Sequence, residues 1–337
     1  MLYITTRNHS EVYSEDSVLR TGIAPDGGLF VPQTLPAFTR DEIISMQRKT
    51  YGEIVAEILN IFFSANLSGW DVDLCIGRNT ARIASVGGKT HIAEMWHNPS
   101  GALEFATQSL YERISGAEAA DKPSHWFQIA TQIAYIFAVY ASLCQAGECI
   151  GGSLIDVSVA VGDMITPIAI CYAQKMGLPV GTIIISSEKN SILWDLIHRG
   201  ETNVTAAEST LVFGIEGLVS LKLGSTAVNQ FVSSMEKNRT YFVEEELISI
   251  LAEKLFCVVL SPNRSQQIMS SFNRTNHYIL EPTSAFCISG LQDFRAKTGV
   301  NNRTLILADI TPAKHIDAVI SATGLAEDTI MEQIIRR

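Results

Sequence analysis

Apolar and polar positions divide the first hundred residues into a helical part and a strand-like part. In residues 39–63 the apolar side chains recur three and four positions apart, which predicts a helix. Thr39 and Asp41 are candidate caps for its first turn. Residues 72–95 have the shorter apolar runs of strands, interrupted at Gly87–Gly88. We therefore expect a helical N-terminal region that leads into extended chain.

The middle of the chain alternates between strand and helix patterns. A helical pattern runs from beyond Pro99 to about Arg113. Residues 153–163 then form a β-branched, strand-like run, residues 167–177 a helix that stops at a glycine, and residues 180–187 a second buried strand. Strand, helix and strand at this spacing predict a βαβ unit in a parallel sheet. The alternation continues to a closing helix from about Ala326.

Residues 126–147 carry no charge and are numerous enough to span a bilayer. Polar side chains interrupt the stretch, and unpaired amides are costly in lipid. They are Gln128, Thr131, Gln132, Ser142 and Gln145. We interpret the stretch as a buried helix of a large α/β protein, with a single membrane anchor as the alternative.

Charge and cysteine content narrow the class of partner. The 337 residues carry a net charge of −10, which argues against nucleic acid as a ligand. The first residues lack the basic-then-apolar pattern of a secretion signal. None of the six cysteines forms a CxxC or zinc-knuckle pair. These features predict a cytoplasmic protein with structural thiols, without a bound metal and without a membrane partner.

Several segments resemble the threonine synthase family, whose members are fold-type II enzymes that use pyridoxal phosphate. The resemblance covers nearly the whole chain in patches. The matching patches are residues 3–7, 22–32, 51–59, 93–105, 124–140, 172–193, 281–286 and 308–315. It implies an α/β fold-type II core, in which helices flank a parallel sheet. The division it suggests is an N-terminal region over residues 1–85 and an α/β core over residues 86–337.

Three departures from the family concern the cofactor. Aligned from His97, the family's Schiff-base lysine falls on Glu104, and a carboxylate forms no imine. The family's phosphate loop falls on residues 161–165, where one glycine is lost and Asp163 adds negative charge. The small subdomain that should receive the substrate is largely missing, at about residues 114–123. We therefore predict that pyridoxal phosphate is absent as a cofactor.

Other matching positions suggest a retained substrate site. Arg7, Asn190 and Lys314 match surroundings that handle a phosphate group in the family. Ser100 and Asp163 lie in the two segments that match the lysine and phosphate-loop motifs, and we add them as substrate-binding candidates. Together these residues predict a pocket for a small anionic, amino-acid-like metabolite. The alternative for each residue alone is an ordinary structural salt bridge.

His97 and Glu104 form a candidate catalytic pair. In the functional interpretation they act as acid and base beside the vacated cofactor cavity. In the structural interpretation His97 packs in the turn before Pro99, and Glu104 faces solvent or meets an arginine.

Two functions of different kinds remain open. The first is a repurposed, cofactor-free enzyme of the lyase, isomerase or cyclase type. The second is a pseudoenzyme that binds a metabolite or a partner subunit. A less favoured third function is a pyridoxal-phosphate enzyme with a substitute lysine, such as Lys89 or Lys222. Loss of the subdomain would expose apolar surface near residues 114–147, which a homodimer would cover.

Overall fold

The structure, a computed structural model, describes residues 1–77, 81–96, 103–116, 122–160, 164–187, 192–203 and 209–336. Its strands are β1 Leu2–Thr5, β2 Tyr13–Ser14, β3 Phe30–Pro32, β4 Arg82–Ser85, β5 Thr90–Glu94, β6 Ile155–Ala160, β7 Val180–Ser187, β8 Glu201–Asn203, β9 Thr240–Phe242, β10 Leu255–Val259 and β11 Thr304–Ala308. Its helices are α1 Glu15–Arg20, α2 Arg40–Ser45, α3 Tyr51–Phe63, α4 Gly69–Ile76, α5 Leu103–Ser115, α6 His125–Gln145, α7 Ile165–Lys175, α8 Ile192–Arg199, α9 Ser209–Leu223, α10 Ser225–Asn238, α11 Glu245–Leu251, α12 Pro262–Asn276, α13 Pro282–Thr298, α14 Ile316–Thr323 and α15 Glu327–Ile335.

The main sheet has the strand order β10-β7-β6-β11-β5-β4. All neighbours pair in parallel except β4, which runs antiparallel to β5 at the edge. Along the chain, strands β6, β7 and β10 follow one another towards one edge of the sheet. Strand β11 then lies between β6 and β5. Ligands of open α/β sheets bind at such a reversal, beyond the carboxyl ends of the strands. The predicted parallel sheet flanked by helices is confirmed.

Capping boxes explain where the N-terminal helices begin. The Thr39 hydroxyl accepts a hydrogen bond from the Glu42 backbone N–H, and the Glu42 carboxylate accepts one from the Thr39 backbone N–H, so α2 starts as predicted. Asp41 lies inside the first turn and is not the cap. The predicted single helix over residues 39–63 is wrong, because a second box at Thr50 and Glu53 starts α3 afresh.

Residues 72–76 were predicted as strand and are helical. They form the end of α4, which begins at the Ser68–Asp71 capping box. The two boxed helices α3 and α4 pack against each other, so tertiary contact supports a helix that the short apolar run did not indicate. The strands predicted on either side of Gly87–Gly88 are confirmed as β4 and β5.

Helix α6 is the buried helix that the uncharged stretch predicts. Among the described residues it is the one helix long and apolar enough to cross a membrane, and 83% of its most apolar window is buried. It lies between α3 and α7. Phe127 packs against Phe63 with ring centroids 5.1 Å apart, and Trp126 meets Tyr172 at the same separation.

The N-terminal region packs against this helical layer and is hydrogen-bonded to it. Strands β2, β1 and β3 form a small antiparallel sheet. The buried Tyr3 hydroxyl donates a hydrogen bond of 2.6 Å to the carbonyl of Phe62 at the end of α3. Strand β4, inside the predicted N-terminal region of residues 1–85, pairs in the main sheet. The division into two regions stays a prediction.

The apolar surface expected near residues 114–147 is not found in the described part of that span. The large hydrophobic side chains that are exposed lie elsewhere, for example Leu74 on α4, Phe105 on α5 and Ile150 after α6. Helix α6 is covered by its own chain, so its apolar residues offer no surface to a second copy. The homodimer stays a prediction without this support.

Candidate functional site

A cleft of about 540 Å³ opens at the carboxyl edge of the main sheet, beside the end of β11. Helices α5, α6 and α7 supply most of its walls. Its lining residues are Leu103, Glu104, Phe105, Thr107, Gln108, Lys122, Pro123, Gln128, Gln132, Ile165, Thr166 and Asp309. An adjoining cavity of about 200 Å³ shares Gln132, Thr166 and Asp309 and reaches the ends of β5 and β6. The two spaces lie where the strand order reverses.

Glu104 stands in the first turn of α5 and lines the cleft from its rim. Its side chain is exposed, and it makes no hydrogen bond or ion pair with any described residue. A carboxylate in this turn is stabilised by the helix dipole, by about 0.3–1 kcal/mol at the surface. The structural interpretation, in which Glu104 faces solvent, therefore accounts for its stability. Its position also leaves the carboxylate available to a ligand.

Helix α6 presents two glutamines to the cleft. Gln128 and Gln132 are four positions apart and so share a helix face. Gln128 donates a hydrogen bond of 3.0 Å to the Pro123 carbonyl, which fixes its amide. The Gln132 side-chain oxygen is buried and has no hydrogen-bond partner among the described residues. An acceptor left in this state costs about 1–3 kcal/mol, unless water or a ligand supplies a donor.

His125, the first residue of α6, lies in the same layer. Burial lowers its pKa to about 4, so the ring is neutral at physiological pH. Its Nδ1 is buried without a partner among the described residues.

Helix α7 begins at the cleft, after a residue whose side chain does not cap it. Its N-cap residue Met164 has a positive φ of 68° and makes no side-chain hydrogen bond, and the first turn carries no acidic residue. Helix α13 differs, because the buried carboxylate of Glu281 accepts from the Thr283 and Ser284 amides. Ile165, the first residue of α7, takes part in an interaction of its own, so the start of this helix is not a vacant site.

Arg7 is placed outside the cleft lining, in a network of its own. Its guanidinium binds both carboxylate oxygens of Glu216 on α9, at 3.1 and 3.0 Å, and donates to the Asp26 carbonyl at 3.2 Å. Thr6 donates a further bond to Glu216, whose side chain is only 1% exposed. Three of the five guanidinium N–H groups of Arg7 therefore bind protein groups, as in the structural interpretation.

The remaining sequence candidates are not brought to the cleft by any described contact. Lys314 is exposed on a 3₁₀ turn, Pro312–His315, that follows β11, and it is not among the lining residues. His97, Ser100, Asp163 and Asn190 lie outside the described residues.

The described lining residues do not fit pyridoxal phosphate in the manner that the family resemblance implies. Glu104 offers a carboxylate where an amine is needed. Ile165 places a branched side chain at the last position of the matching phosphate loop, where the family has glycine. The lysine of the described lining is Lys122, before α6.

The substitute lysines named from the sequence are engaged elsewhere. Lys89 donates to the Asn301 carbonyl at 3.1 Å, at the amino end of β5, which is the edge opposite the cleft. Lys222 donates to the Glu253 carbonyl at 2.8 Å. For metal ions, the described residues contain no group of three His, Cys, Asp or Glu side chains able to hold one.

Comparisons with known proteins agree with the resemblance. A family model described as threonine synthase N terminus matches residues 2–79. The human protein threonine synthase-like 2 is 21% identical over 442 aligned positions, covering 98% of this chain and 91% of that protein. Threonine synthase from Pseudomonas aeruginosa is 30% identical over 119 positions, 33% of this chain and 25% of that enzyme.

The solved structures give the same fold. Threonine synthase from Brucella melitensis, determined with bound pyridoxal phosphate, superposes with a TM-score of 0.80 at 18% identity, covering 96% of this chain and 92% of that one. The yeast enzyme has a TM-score of 0.76 at 16% identity, with 95% and 89% covered.

The chain is a relative of the threonine synthases. It is threonine synthase-like over nearly its full length, with the fold of the fold-type II enzymes. The alignment to the human relative is longer than this chain of 337 residues, so that relative carries segments that this chain lacks.

Some lining residues of this threonine synthase-like cleft were not identified from sequence. Gln128 and Gln132 had been considered only as interruptions of an apolar helix, although their spacing of four placed them on one face. Asp309 follows a buried strand directly, and the carboxyl end of such a strand is the usual place for a functional side chain. No pattern in the sequence indicated that Lys122 or Thr166 lines a cleft.

Proposed function

We propose that this threonine synthase-like protein binds a small amino-acid-like metabolite in the cleft without pyridoxal phosphate. One observation carries the proposal. The cleft combines a volume of about 540 Å³ with polar groups that have no partner among the described residues, namely the Glu104 carboxylate and the Gln132 oxygen. A cavity vacated by a cofactor and simply filled would place packed apolar side chains at these positions.

The anionic group of the metabolite meets Lys122, which is the cation of the described lining. Its ammonium favours a carboxylate or phosphate. Arg7 takes no part, because it does not line the cleft and binds Glu216 instead. The compartment we propose is the cytoplasm, where the six free cysteines stay reduced.

Catalysis by Glu104 is a second candidate function. The observation that favours it is the free carboxylate at the cleft, since a general base must have an unoccupied oxygen within hydrogen-bond reach of the ligand. Glu104 would remove a proton from the bound metabolite in a cofactor-free lyase, isomerase or cyclase reaction. Without turnover, the protein is a metabolite-binding pseudoenzyme.

Native mass spectrometry of the freshly purified protein tests the cofactor part. We expect no mass of pyridoxal phosphate and no visible absorption of an imine. After incubation with added pyridoxal phosphate and reduction with borohydride, we expect no stoichiometric modification of a lysine. An adduct at one per chain that disappears in Lys122→Arg would identify a substitute lysine and overturn the proposal.

The catalytic part is tested with Glu104→Gln, once a bound metabolite has been identified by the same spectra. We expect the variant to bind the metabolite and to lose at least about 100-fold in turnover, the usual contribution of a general base. Turnover equal to the wild type would remove Glu104 from the mechanism. Glu246→Gln is the matched control, because Glu246 is an exposed glutamate in the first turn of α11, away from the cleft.

A further inference from the structure

The end of helix α6 brings two cysteines together. Cys144 lies in the last turn of the helix, and Gly147, which follows the cap, has a positive φ of 76°. The Gly147 amide donates to the Cys144 carbonyl at 3.0 Å. The next amide, of Glu148, donates to the Leu143 carbonyl at 3.1 Å, which completes a Schellman motif and reverses the chain. Cys149 is therefore folded back against the last turn of the helix.

The two thiols are in contact and are shielded from solvent. The Cys149 thiol donates a hydrogen bond to the Cys144 sulfur. Both residues are free thiols and are only 7% exposed. This degree of exposure favours a small oxidant over a bulky one such as a glutathione disulfide.

A cation lies beside this pair. Arg303 immediately precedes β11, and its charge acts on both thiols. The Arg303 Nε is buried and has no hydrogen-bond partner among the described residues. The hydrogen bond from Cys149 lowers the pKa of Cys144, against the effect of burial, and the charge of Arg303 lowers it further. Cys144 is therefore the thiol of the pair that ionises, and the thiolate is the reactive form of cysteine.

We infer that Cys144 and Cys149 form a peroxide-sensitive pair that is oxidised reversibly to a disulfide. The Cys144 thiolate attacks one oxygen of hydrogen peroxide and the O–O bond breaks. The hydroxide that leaves takes up the proton that Cys144 released, and Cys144 becomes a sulfenic acid. The Cys149 sulfur then attacks the Cys144 sulfur, the S–O bond breaks, and the Cys149 proton leaves with the hydroxyl group as water. Two thiols and one peroxide thus give one disulfide and two water molecules.

The cysteine pair lies apart from the cleft. Glu148, between the two cysteines in sequence, binds the Ser85 hydroxyl, and its carboxylate lies 3.6 Å from the His91 Nδ1 at the amino end of β5. The cleft is at the carboxyl edge of the same sheet. The inference is therefore independent of the metabolite proposed for the cleft.

Mild oxidation of the wild-type protein tests the inference. The reduced protein is treated with a slight excess of hydrogen peroxide, quenched, and alkylated in denaturant. We expect the intact mass before alkylation to fall by about 2 Da and two of the six thiols to escape alkylation, with both changes reversed by dithiothreitol. Proteolytic cleavage after Glu148 separates the two cysteines, so the disulfide is seen as two fragments that stay joined until they are reduced.

Three variants assign the roles, and far-ultraviolet circular dichroism checks that each is folded. In Cys149→Ser the sulfenic acid of Cys144 should persist and be trapped by dimedone. In Arg303→Gln we expect disulfide formation to be at least about threefold slower, because the thiolate loses its neighbouring charge. Cys75→Ser is the matched control, since it removes a more exposed thiol and should change neither the rate nor the yield of the disulfide.

Several outcomes would overturn the inference. One is oxidation at Cys75 while Cys144 and Cys149 stay open to alkylation, and another is the loss of no thiol at all. A sulfinic acid at Cys144 without a disulfide, or a disulfide that joins other cysteines, would have the same meaning. An unchanged rate in Arg303→Gln would overturn the role given to the arginine.

Discussion

Two polar regions of this protein lie in segments that resemble the same family. They differ in whether their polar side chains have hydrogen-bond partners within the chain. Around Arg7, the charged groups have partners: Glu216 accepts from Arg7 and Thr6, and a further guanidinium N–H donates to the Asp26 carbonyl. In the cleft, Glu104 has no partner among the described residues, and the Gln132 oxygen is buried without a donor.

This difference distinguishes polar groups that stabilise the fold from polar groups that are available to a ligand. A buried carboxylate whose two oxygens both accept from protein groups stabilises the fold and is not available to a substrate. A buried acceptor without a partner, such as the Gln132 oxygen, is a cost to the folded protein that a bound donor removes. A residue that matches a family's binding motif is therefore informative only together with its partners in this chain.

The largest effect is expected at Glu216. Glu216→Gln removes the buried charge that compensates Arg7, and we expect a loss of about 3 kcal/mol in the free energy of unfolding. Urea denaturation followed by circular dichroism measures it. The control is Arg20→Gln, which breaks the exposed Arg20–Asp16 pair and should cost less than about 0.5 kcal/mol. Equal effects of the two substitutions would refute the assignment of the Arg7 network to stability.

A pH effect of intermediate size is expected from His125 on the cleft side. Burial lowers its pKa to about 4 in the folded state, against about 6.5 in the unfolded chain. Between these values the unfolded chain binds the extra proton, so stability falls as pH falls through this window. The slope is at most about 1.4 kcal/mol per pH unit, and His125 contributes none above about pH 6.5.

The contribution of His125 to the pH dependence of stability is measured by urea denaturation. The midpoints of the wild type and of His125→Gln are compared across this pH range. We expect the variant to lose less stability on acidification than the wild type. His91, whose pKa burial also lowers, stays in both proteins and so cancels in the difference. The same pH dependence in both proteins would show that His125 is not the titrating group, and His9→Gln, at an exposed histidine, is the control.

The smallest effect on stability, with its sign reversed, is expected at Gln132. Gln132→Met replaces an unpartnered amide by an apolar side chain of similar size, so the protein should be unchanged or up to about 1 kcal/mol more stable. Gln145→Met on the same helix should instead lose about 1 kcal/mol, because the Gln145 amide donates to the Gln47 and Lys49 carbonyls at 2.9 and 2.8 Å. Destabilisation of similar size in both would mean that the Gln132 amide has a structural partner.

The sequence predicted what depends on neighbours along the chain. The apolar run of α6, the cap at Thr39 and the alternation of strand and helix were all read correctly, because each follows from local spacing. The break at Thr50 was missed, although its capping box is as regular as the one at Thr39.

Features that depend on distant residues were not predictable from spacing. Arg7 and Glu216 are 209 positions apart, so nothing local indicated that this arginine was already occupied. The insertion of β11 between β6 and β5 brings Asp309 beside Gln132, and no pattern in either segment points to the other. The fold followed from pattern and resemblance, whereas the lining of the cleft required the three-dimensional arrangement.

Helix α6 also has a consequence for the order of events on the ribosome. Of its two flanking helices, α3 is already synthesised when Gln145 emerges, but α7 ends only at Lys175. At roughly 5–20 residues per second, the intervening chain takes about 2–6 s to appear. During that interval an uncharged helix of 21 residues is half covered, and we expect nascent-chain chaperones to engage it at this length in ribosome profiling of bound factors.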